Sequence, residues 1–374
     1  MSSGIAGRVA VGLTLGSVML VGCARFDESA SSPFTAGPSF GGDVTEPTEP
    51  PPLPTRSPRP KGPCIDPDPN VVATCLDSGA GLVSLGGYAL VTERRTGRIL
   101  QVTLVDPSMP QLPPVEIATI QVDAKGDGGL SDIALSPTFR EDGLIYAYVT
   151  TPSDNRVVRI SQAGTVKPIL TGIPRGSDGN RGAIEWASPT ALMVLTGDAG
   201  NTSAANDPGS LSGKILRLDN PSSGTNTPTV VGSGLGAAGD ICRDGKKGMW
   251  VTDRTATEDR LQHLGADGDL RVAWTWADQP GVGGCAATPG GGVAIALTEG
   301  KALAVFATDP ATFAVTIAPS MLVLDVYGKL LGAAPGGDGS IWVTTTNKTD
   351  GTPGEFDDRV VQIPPLGVLP AGKQ

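Results

Sequence analysis

The sequence predicts an all-β protein: a six-bladed β-propeller preceded by a lipoprotein signal peptide and a Pro-rich disordered stalk. Three observations predict this class. A segment pattern recurs about every 45–57 residues from residue 81 onward, the chain of 374 residues has 52 glycines and 33 prolines, and predicted strands such as residues 145–150 and 341–346 are β-branched and aromatic.

Each recurring unit has a small-residue start, an apolar stretch, a Gly- or Pro-bearing turn, a strand, a polar loop and a second strand. The units are residues 81–105, 130–160, 183–218, 240–264, 284–306 and 330–363. Units of this length with three or four short strands are typical of propeller blades. Six units predict six blades, with the ring closed by pairing of the two chain ends. Two packed β-domains are the alternative.

Residues 1–22 are predicted to be a lipoprotein signal peptide. Arg8 precedes an apolar run over residues 9–21, which is too short to span a bilayer but suits a signal peptide. The run ends in Leu20-Val21-Gly22-Cys23, which resembles the bacterial lipobox. We therefore expect acyl chains, palmitate among them, on Cys23, which would anchor the exported chain to the outer face of the bacterial cell membrane. A plain secretory signal with an incidental cysteine is the alternative.

Residues 23–63 are predicted to be a lipid-anchored linker, because residues 24–63 contain ten prolines and little apolar content. Such a stretch cannot bury enough surface to offset its ordering entropy, so an extended stalk is expected. Residues 64–374 then form the propeller domain. The 28 Lys and Arg against 38 Asp and Glu give a net charge of −10, which argues against nucleic-acid binding.

Four cysteines remain if Cys23 is lipidated. An even number in an exported chain favours two disulfides over a metal site. We predict that Cys64 pairs with Cys75 at the start of the domain and that Cys242 pairs with Cys285 across neighbouring units. A metal site is the alternative, but the chain has no CxxC pair and only one histidine.

Two blocks carry a family resemblance. The first contains the sequences GDGGL, IALSPTF and GLIYAY within residues 126–148, and the second contains Gly197-Asp198 followed by LSGKILR at residues 211–217. Together they resemble the glucose/sorbosone dehydrogenase family, whose members are six-bladed propellers that oxidise aldoses with pyrroloquinoline quinone (PQQ) and calcium. With its lipobox and stalk, the whole chain also resembles a mycobacterial lipoprotein.

The sequence departs from the family pattern at three places. Family enzymes carry a catalytic histidine in an H-N-G-G turn, whereas residues 179–182 read Gly-Asn-Arg-Gly and the one histidine is His263. Residues 234–238 lack the arginine of the family's cofactor-binding G-L-R-N-P stretch, and the acidic calcium segment survives only as residues 258–260, Glu-Asp-Arg. The chain therefore lacks the family's catalytic base and its cofactor-binding arginine, and retains only part of the family's calcium site.

The resemblance still leaves weak candidates for a site. Asp198 and Asp127 match acidic positions near the family's active site, although a turn aspartate that bonds its own backbone is the commoner use. Arg181 and Lys214 are candidates for binding an anionic cofactor, as is Arg175. No residue is predicted to bind a metal.

Other polar and aromatic residues have structural interpretations. His263 is predicted to be a satisfied structural histidine. The Trp274 and Trp276 pair is expected to pack between blades, with a sugar-stacking platform as the alternative.

Two function classes remain open. We favour a non-enzymatic surface propeller that binds a small molecule, a glycan or an envelope protein through loops at residues 151–155, 198–210 and 347–358. The alternative is a divergent PQQ- and calcium-dependent aldose dehydrogenase. The number of cationic side chains at the mouth of the central cavity should discriminate between them, since a tricarboxylate cofactor needs two or more.

Overall fold

The computed structural model describes residues 62–365 except 223, 225, 245, 247, 289, 290 and 310. The predicted signal peptide, Cys23 and nearly all of the predicted stalk therefore lie outside the described residues. Within the described range, 24 strands form six four-stranded antiparallel sheets, each a blade of a propeller. The predicted six-bladed all-β fold is confirmed.

In blades 1 to 5 the strands follow one another in chain order, from the first, innermost strand to the fourth, outermost one. The first strand of the domain, β1 (Val71–Ala73), is the exception, because it forms the outer edge of the last blade, blade 6. Blade 1 contains β2 (Gly79–Ser84), β3 (Tyr88–Glu93), β4 (Arg98–Thr103) and β5 (Val115–Thr119). Blade 2 contains β6 (Leu130–Leu135), β7 (Ile145–Thr150), β8 (Asn155–Ile160) and β9 (Val166–Ile173). Blade 3 contains β10 (Gly182–Ser188), β11 (Ala191–Thr196), β12 (Lys214–Asp219) and β13 (Thr229–Ser233).

The remaining blades have the same plan. Blade 4 contains β14 (Ala238–Arg243), β15 (Met249–Arg254), β16 (Asp259–Leu264) and β17 (Leu270–Trp276). Blade 5 contains β18 (Val282–Ala287), β19 (Val293–Leu297), β20 (Ala302–Phe306) and β21 (Ser320–Leu322). Blade 6 contains β22 (Leu330–Pro335), β23 (Ile341–Thr345) and β24 (Val360–Ile363), followed by β1 at its outer edge. The helices in the described residues are two four-residue turns, α1 (Phe139–Asp142) and α2 (Asn347–Asp350), and a 3₁₀ turn at Ala204–Asn206.

The ring closes through the first strand of the domain. Strand β1 pairs antiparallel with β24, with Val71 opposite Val361. On the inner side, the Thr344 hydroxyl donates to the Ala80 carbonyl at 2.7 Å, which joins blade 6 to blade 1. The predicted pairing of the chain ends is confirmed.

The first strands of the six blades form a ring, because each of them contacts the first strands of both neighbouring blades. Space at this ring is limited. A Cβ atom at Gly81 would lie 2.2 Å from Oδ1 of Asp132 in the next blade, so only glycine fits there. Small residues on the inner strands let the blades approach, while large apolar residues such as Trp250 and Trp342 are fully buried farther out.

The predicted cysteine pairs are both present as disulfides. Cys64 pairs with Cys75 at the start of the domain. Cys242 on β14 pairs with Cys285 on β18, which links blades 4 and 5. These two bridges involve all four cysteines of the described residues.

Trp274, Trp276 and Phe306 pack edge to face close to the second disulfide. His263 accepts or donates a hydrogen bond at 2.9 Å to Asp244 and stacks on Phe313. It is a satisfied structural histidine, as predicted. None of the helices in the described part of the chain has the length and apolar character needed to cross a membrane.

Candidate functional site

The longest loops near the propeller axis lie on one face. We call it the upper face: it is formed by the loops between the second and third strands of each blade and by the loops from each blade to the next. The three loops predicted to form a binding surface, at residues 151–155, 198–210 and 347–358, each join the second and third strands of a blade. They therefore share this face. Since first strands run away from the upper face, residues just before them surround the axis there.

A central cavity of about 340 Å³ follows the axis and is lined by the first strands of all six blades. Arg94, which follows β3, and Arg181, which precedes β10, line its end at the upper face. Asp132, Glu185 and Asp240 line it farther in, at the third or fourth position of their first strands. The cavity therefore has cations at its mouth and carboxyl groups in its middle.

Arg94 is almost completely buried and supports the neighbouring loop. Its Nη1 donates to the carbonyls of Gly126 at 3.3 Å and Gly128 at 2.5 Å. Gly129 passes so close that a Cβ there would lie 2.1 Å from the Arg94 carbonyl oxygen. The guanidinium is thus fixed in position at the mouth of the cavity. The sequence analysis did not identify Arg94 as a site residue. Its contacts are with residues 126–129, more than 30 positions farther along the chain, and no local sequence signal predicts them.

Asp127 joins two loops of the upper face. Its carboxylate accepts the backbone N–H of Asn180 at 3.1 Å and the Asn180 side-chain amide at 3.0 Å. Burial raises the pKa of Asp127, and the nearby positive charge of Arg181 opposes that shift. Asp127 and Arg181, both predicted site residues, are therefore neighbours, with Arg181 in the cavity lining and Asp127 in a loop beside it.

Gly179, which the family resemblance aligns with the catalytic histidine, lies where a side chain would collide with backbone atoms. Its φ is +70°, a conformation that favours glycine. A Cβ would lie 2.5 Å from Oδ1 of Asp198 and 2.6 Å from the backbone nitrogen of Gly200. Asp198 is buried, and its Oδ1 accepts the Gly200 N–H at 2.8 Å. The loops at 176–182 and 197–200 are thus packed around a glycine.

Lys214 lies away from the mouth of the cavity. Its fully buried ammonium donates to the carbonyls of Ala204 at 3.1 Å, Ala205 at 2.6 Å and Ser212 at 2.9 Å. Burial lowers the pKa of this group. The structure places Lys214 as the anchor of the long loop between β11 and β12, with its three donors directed at carbonyl oxygens.

Other cations of the upper face are held by acidic partners. Arg175 forms an ion pair with Asp123 at 2.9 Å, outside the residues that line the cavity. Lys329, just before β22, forms one with Glu299 at 2.9 Å. Of the charged residues proposed from sequence, Arg181 lines the cavity and Asp127 is its neighbour, whereas Lys214 and Arg175 lie outside the lining.

In the Glu258-Asp259-Arg260 segment, the side chains of Asp259 and Arg260 form hydrogen bonds and an ion pair with other residues of the protein. Asp259 Oδ2 accepts the backbone N–H groups of Gly281 at 2.6 Å and Val282 at 3.0 Å. Arg260 donates to Asp253. The described residues contain no group of three or more His, Cys, Asp or Glu side chains arranged to hold a metal ion.

The carboxyl groups inside the cavity also bind across blades. Asp132 accepts the backbone N–H of Ile184 at 2.8 Å, and Asp240 accepts that of Cys285 at 2.7 Å. Burial raises the pKa of the three cavity carboxyl groups. The pKa of Asp132 lies well above its usual value, that of Asp240 is raised to about 6, and that of Glu185 is raised to about 7. Sequence reasoning missed them; the signal was the similar position of Asp132 and Asp240 within their repeat units.

Comparison with known proteins identifies relatives of this fold. A family model described as glucose/sorbosone dehydrogenase matches residues 77–238, which run from blade 1 to the start of blade 4. No curated protein matches the chain.

Solved structures extend the similarity over most of the chain. A PQQ-bound aldose sugar dehydrogenase from Streptomyces coelicolor is 28% identical with a TM-score of 0.66, over 78% of this chain and 95% of that one. A putative glucose dehydrogenase from Thermus thermophilus is 24% identical with a TM-score of 0.66, over 78% and 98% of the two chains. The apo aldose sugar dehydrogenase of Escherichia coli is 17% identical with a TM-score of 0.61, over 79% and 98%. The described domain thus has the fold of these sugar dehydrogenases.

Proposed function

We propose that this chain is a membrane-anchored lipoprotein of the glucose/sorbosone dehydrogenase family whose propeller binds an anionic ligand at the mouth of its central cavity and does not oxidise sugars. The observation that carries this proposal is Gly179. A general base must place an acceptor within about 2.6–3.2 Å of the proton that it removes, and glycine offers no side chain to do so.

The packing around Gly179 leaves no room for the histidine that would act as the base. A histidine at this position would have its Cβ within 2.6 Å of backbone and carboxylate atoms, far inside van der Waals contact. Restoring the residue would therefore require the two loops around it to move apart. Removing a positioned base typically lowers the rate by about 10²–10⁴-fold.

The mouth of the cavity fits an anionic group. Arg94 and Arg181 both line this end, and a guanidinium pair suits carboxylate recognition. PQQ carries several carboxylates, so these two residues would hold it, and bound quinone would supply a hydride acceptor. The calcium that accompanies PQQ in the family fits less well, because Asp259 and Arg260 are committed to contacts within the protein.

A second candidate function is a divergent PQQ-dependent aldose dehydrogenase. It is favoured by the 28% identity with the PQQ-bound enzyme of Streptomyces coelicolor and by the two arginines at the mouth. Asp127 would then be the base, since its carboxylate is partly buried, has a raised pKa and lies near Arg181.

Export and anchoring are part of the proposal. They are supported by the lipobox at Cys23, by the proline-rich segment that follows it, and by two disulfides, which are typical of oxidising compartments outside the cytosol. The ligand would be a small molecule, a glycan or a charged group of an envelope protein.

Calorimetric titration with PQQ, with and without calcium, tests the proposal on the chain from residue 24 onward. We expect binding that weakens at least about tenfold in Arg181→Gln, the loss of one charge-assisted contact. Arg175→Gln is the matched control, because Arg175 is an upper-face arginine outside the cavity lining. Absence of binding would contradict the anion site and direct the search to neutral glycans or protein partners.

The same samples are then given an aldose panel and an artificial electron acceptor. We expect no reduction of the acceptor. Turnover would refute the non-enzymatic function, and its loss in Asp127→Asn would assign the base of the second candidate function.

A further inference from the structure

The inner part of the central cavity holds three carboxyl groups close together. Asp132, Glu185 and Asp240 line it on the first strands of blades 2, 3 and 4, and we call them the inner carboxyl groups. Burial and the negative charge of Asp240 raise the pKa of both Asp132 and Glu185, while the positive charge of Arg243 opposes the shift at Glu185. The inner cavity is therefore rich in acidic groups, opposite in charge to its mouth.

The inner carboxyl groups are fixed in position and can accept further hydrogen bonds. Asp132 accepts the backbone N–H of Ile184, and Asp240 accepts that of Cys285. These bonds orient the side chains across the blades. They use only part of the acceptor capacity of a carboxylate, which has about four lone-pair sites. A ligand in the cavity can therefore donate to the same groups.

The arrangement suits an organic cation better than a metal ion. In the part of the chain that the structure describes, no three or more His, Cys, Asp or Glu side chains are arranged to hold a metal. An ammonium group instead has three donors that can point at separate acceptors. Its positive charge also favours the ionised form of each neighbouring carboxyl group.

Polar atoms on the cavity wall point to a ligand with amide groups. The indole Nε1 of Trp186 and the hydroxyl groups of Ser84 and Ser131 have no hydrogen-bond partner among the described residues, although all three residues line the cavity. Trp186 is only 9% exposed. A buried donor without an acceptor is destabilising, and the carbonyl oxygens of a ligand would supply acceptors.

The two charged parts of the cavity are separated by the length of a short peptide. Asp132 binds the backbone N–H of Ile184, which is three positions after Arg181 in the chain. At about 3.3 Å per residue, the carboxyl group of Asp132 lies about 10 Å along β10 from the backbone of Arg181. An extended tripeptide spans about 10–11 Å.

We propose that the central cavity binds a bipolar ligand of the size of a tripeptide, with its carboxylate at Arg94 and Arg181 and its ammonium group among the inner carboxyl groups. Amide groups between the two ends face Trp186 and the two serines. The carboxylate end is the anionic group of the proposed function, so this inference rests on that function. It adds the ammonium end and sets the direction in which the ligand enters, since the reverse orientation places like charges together.

Calorimetric titration with triglycine, on the protein used for the PQQ titration, tests this inference. N-acetyltriglycine lacks the ammonium group, and triglycine amide lacks the carboxylate. We expect triglycine to bind at least about tenfold more tightly than either analogue. At about pH 6.5, where the peptide amine is protonated, binding should release protons, because the ammonium group favours ionised carboxylates. Equal affinity for triglycine and N-acetyltriglycine would overturn the proposal.

A charge-removing substitution tests the ammonium end directly. Asp240→Asn keeps an acceptor for the Cys285 N–H and removes the charge. We expect it to weaken triglycine binding about tenfold without weakening the binding of N-acetyltriglycine or PQQ. Asp269→Asn is the matched control and should change none of these affinities, because Asp269 is an exposed acidic residue of the same blade outside the cavity lining. Unchanged triglycine affinity in Asp240→Asn would refute the ammonium site.

The titrations separate failure of this inference from failure of the proposed function. If PQQ binds, but triglycine binds no more tightly than its acetylated form, the anion site stands and the inference is wrong. If neither PQQ nor N-acetyltriglycine binds, the proposed function is wrong and the inference is wrong with it.

Discussion

Replacing Glu185 with glutamine removes an ionisable group from the wall of the central cavity, and the pH dependence of unfolding should report the change. Burial raises the pKa of Glu185 from 4.5 to about 7. The folded protein therefore binds this proton more tightly than the unfolded chain. The resulting stability is fully present below pH 4.5 and is lost as the pH rises through about 7. At about 1.4 kcal/mol per pKa unit, the complete loss is about 3 kcal/mol.

Denaturant unfolding between about pH 4 and pH 8.5 measures this effect. Glu185→Gln should be more stable than the native protein at the alkaline end, by up to about 3 kcal/mol, because the amide oxygen can still accept the Trp186 N–H that Glu185 accepts at 2.8 Å. Asp132 and Asp240 keep part of the slope in the variant. Glu141→Gln, on the exposed turn α1, is the control and should not alter the slope. Parallel curves for native protein and Glu185→Gln would refute the assignment.

Three further changes test the packing described above. Gly179→Ala should lower the free energy of unfolding, measured by thermal unfolding, by at least about 2 kcal/mol. Gly164→Ala is the control and should lower it by about 1 kcal/mol, because Gly164 has a similar positive φ but open space around it. Equal losses would contradict the crowding around Gly179. Lys214→Met should lower the free energy of unfolding by about 2–3 kcal/mol, because it leaves buried carbonyls without donors. Limited proteolysis of the variant should then cut the loop at residues 198–212. An unchanged digestion pattern would argue against the role of Lys214 as the anchor of this loop. Joint replacement of Cys242 and Cys285 by alanine should cost about 2–4 kcal/mol in calorimetry, and reductant should lower the native melting temperature but not that of a variant lacking both disulfides.

The repeat units predicted the blades closely because each blade is built from contacts that are local in the chain. The predicted units begin at residues 81, 130, 183, 240, 284 and 330, and the observed first strands begin within two residues of these positions. The outermost strands were harder to predict. Strand β5, for example, is mostly exposed, so it lacks the alternation of buried and exposed residues that marks a half-buried strand.

The candidate site was less predictable, because its geometry depends on contacts between blades. Lys214 matched a family motif, yet the fold of its own loop directs its ammonium to three carbonyls. Arg94 and Asp132 reach the cavity only because six strands from distant parts of the chain meet at one axis. The family resemblance predicts that Gly179 stands where members carry a histidine, and the structure adds that a Cβ there would collide with Asp198 and Gly200.

The pairing of β1 with β24 has a consequence for biosynthesis. The strand that completes blade 6, β1, is the first of the described strands to be synthesised, whereas its partner β24 is the last. During synthesis β1 must stay unpaired until β24, the last strand of the described residues, has been made, and closing such a distant contact is slow. A chain that stops before residue 360 would leave two open sheet edges, each a site for aggregation. Quality control of this protein therefore depends on its last strand.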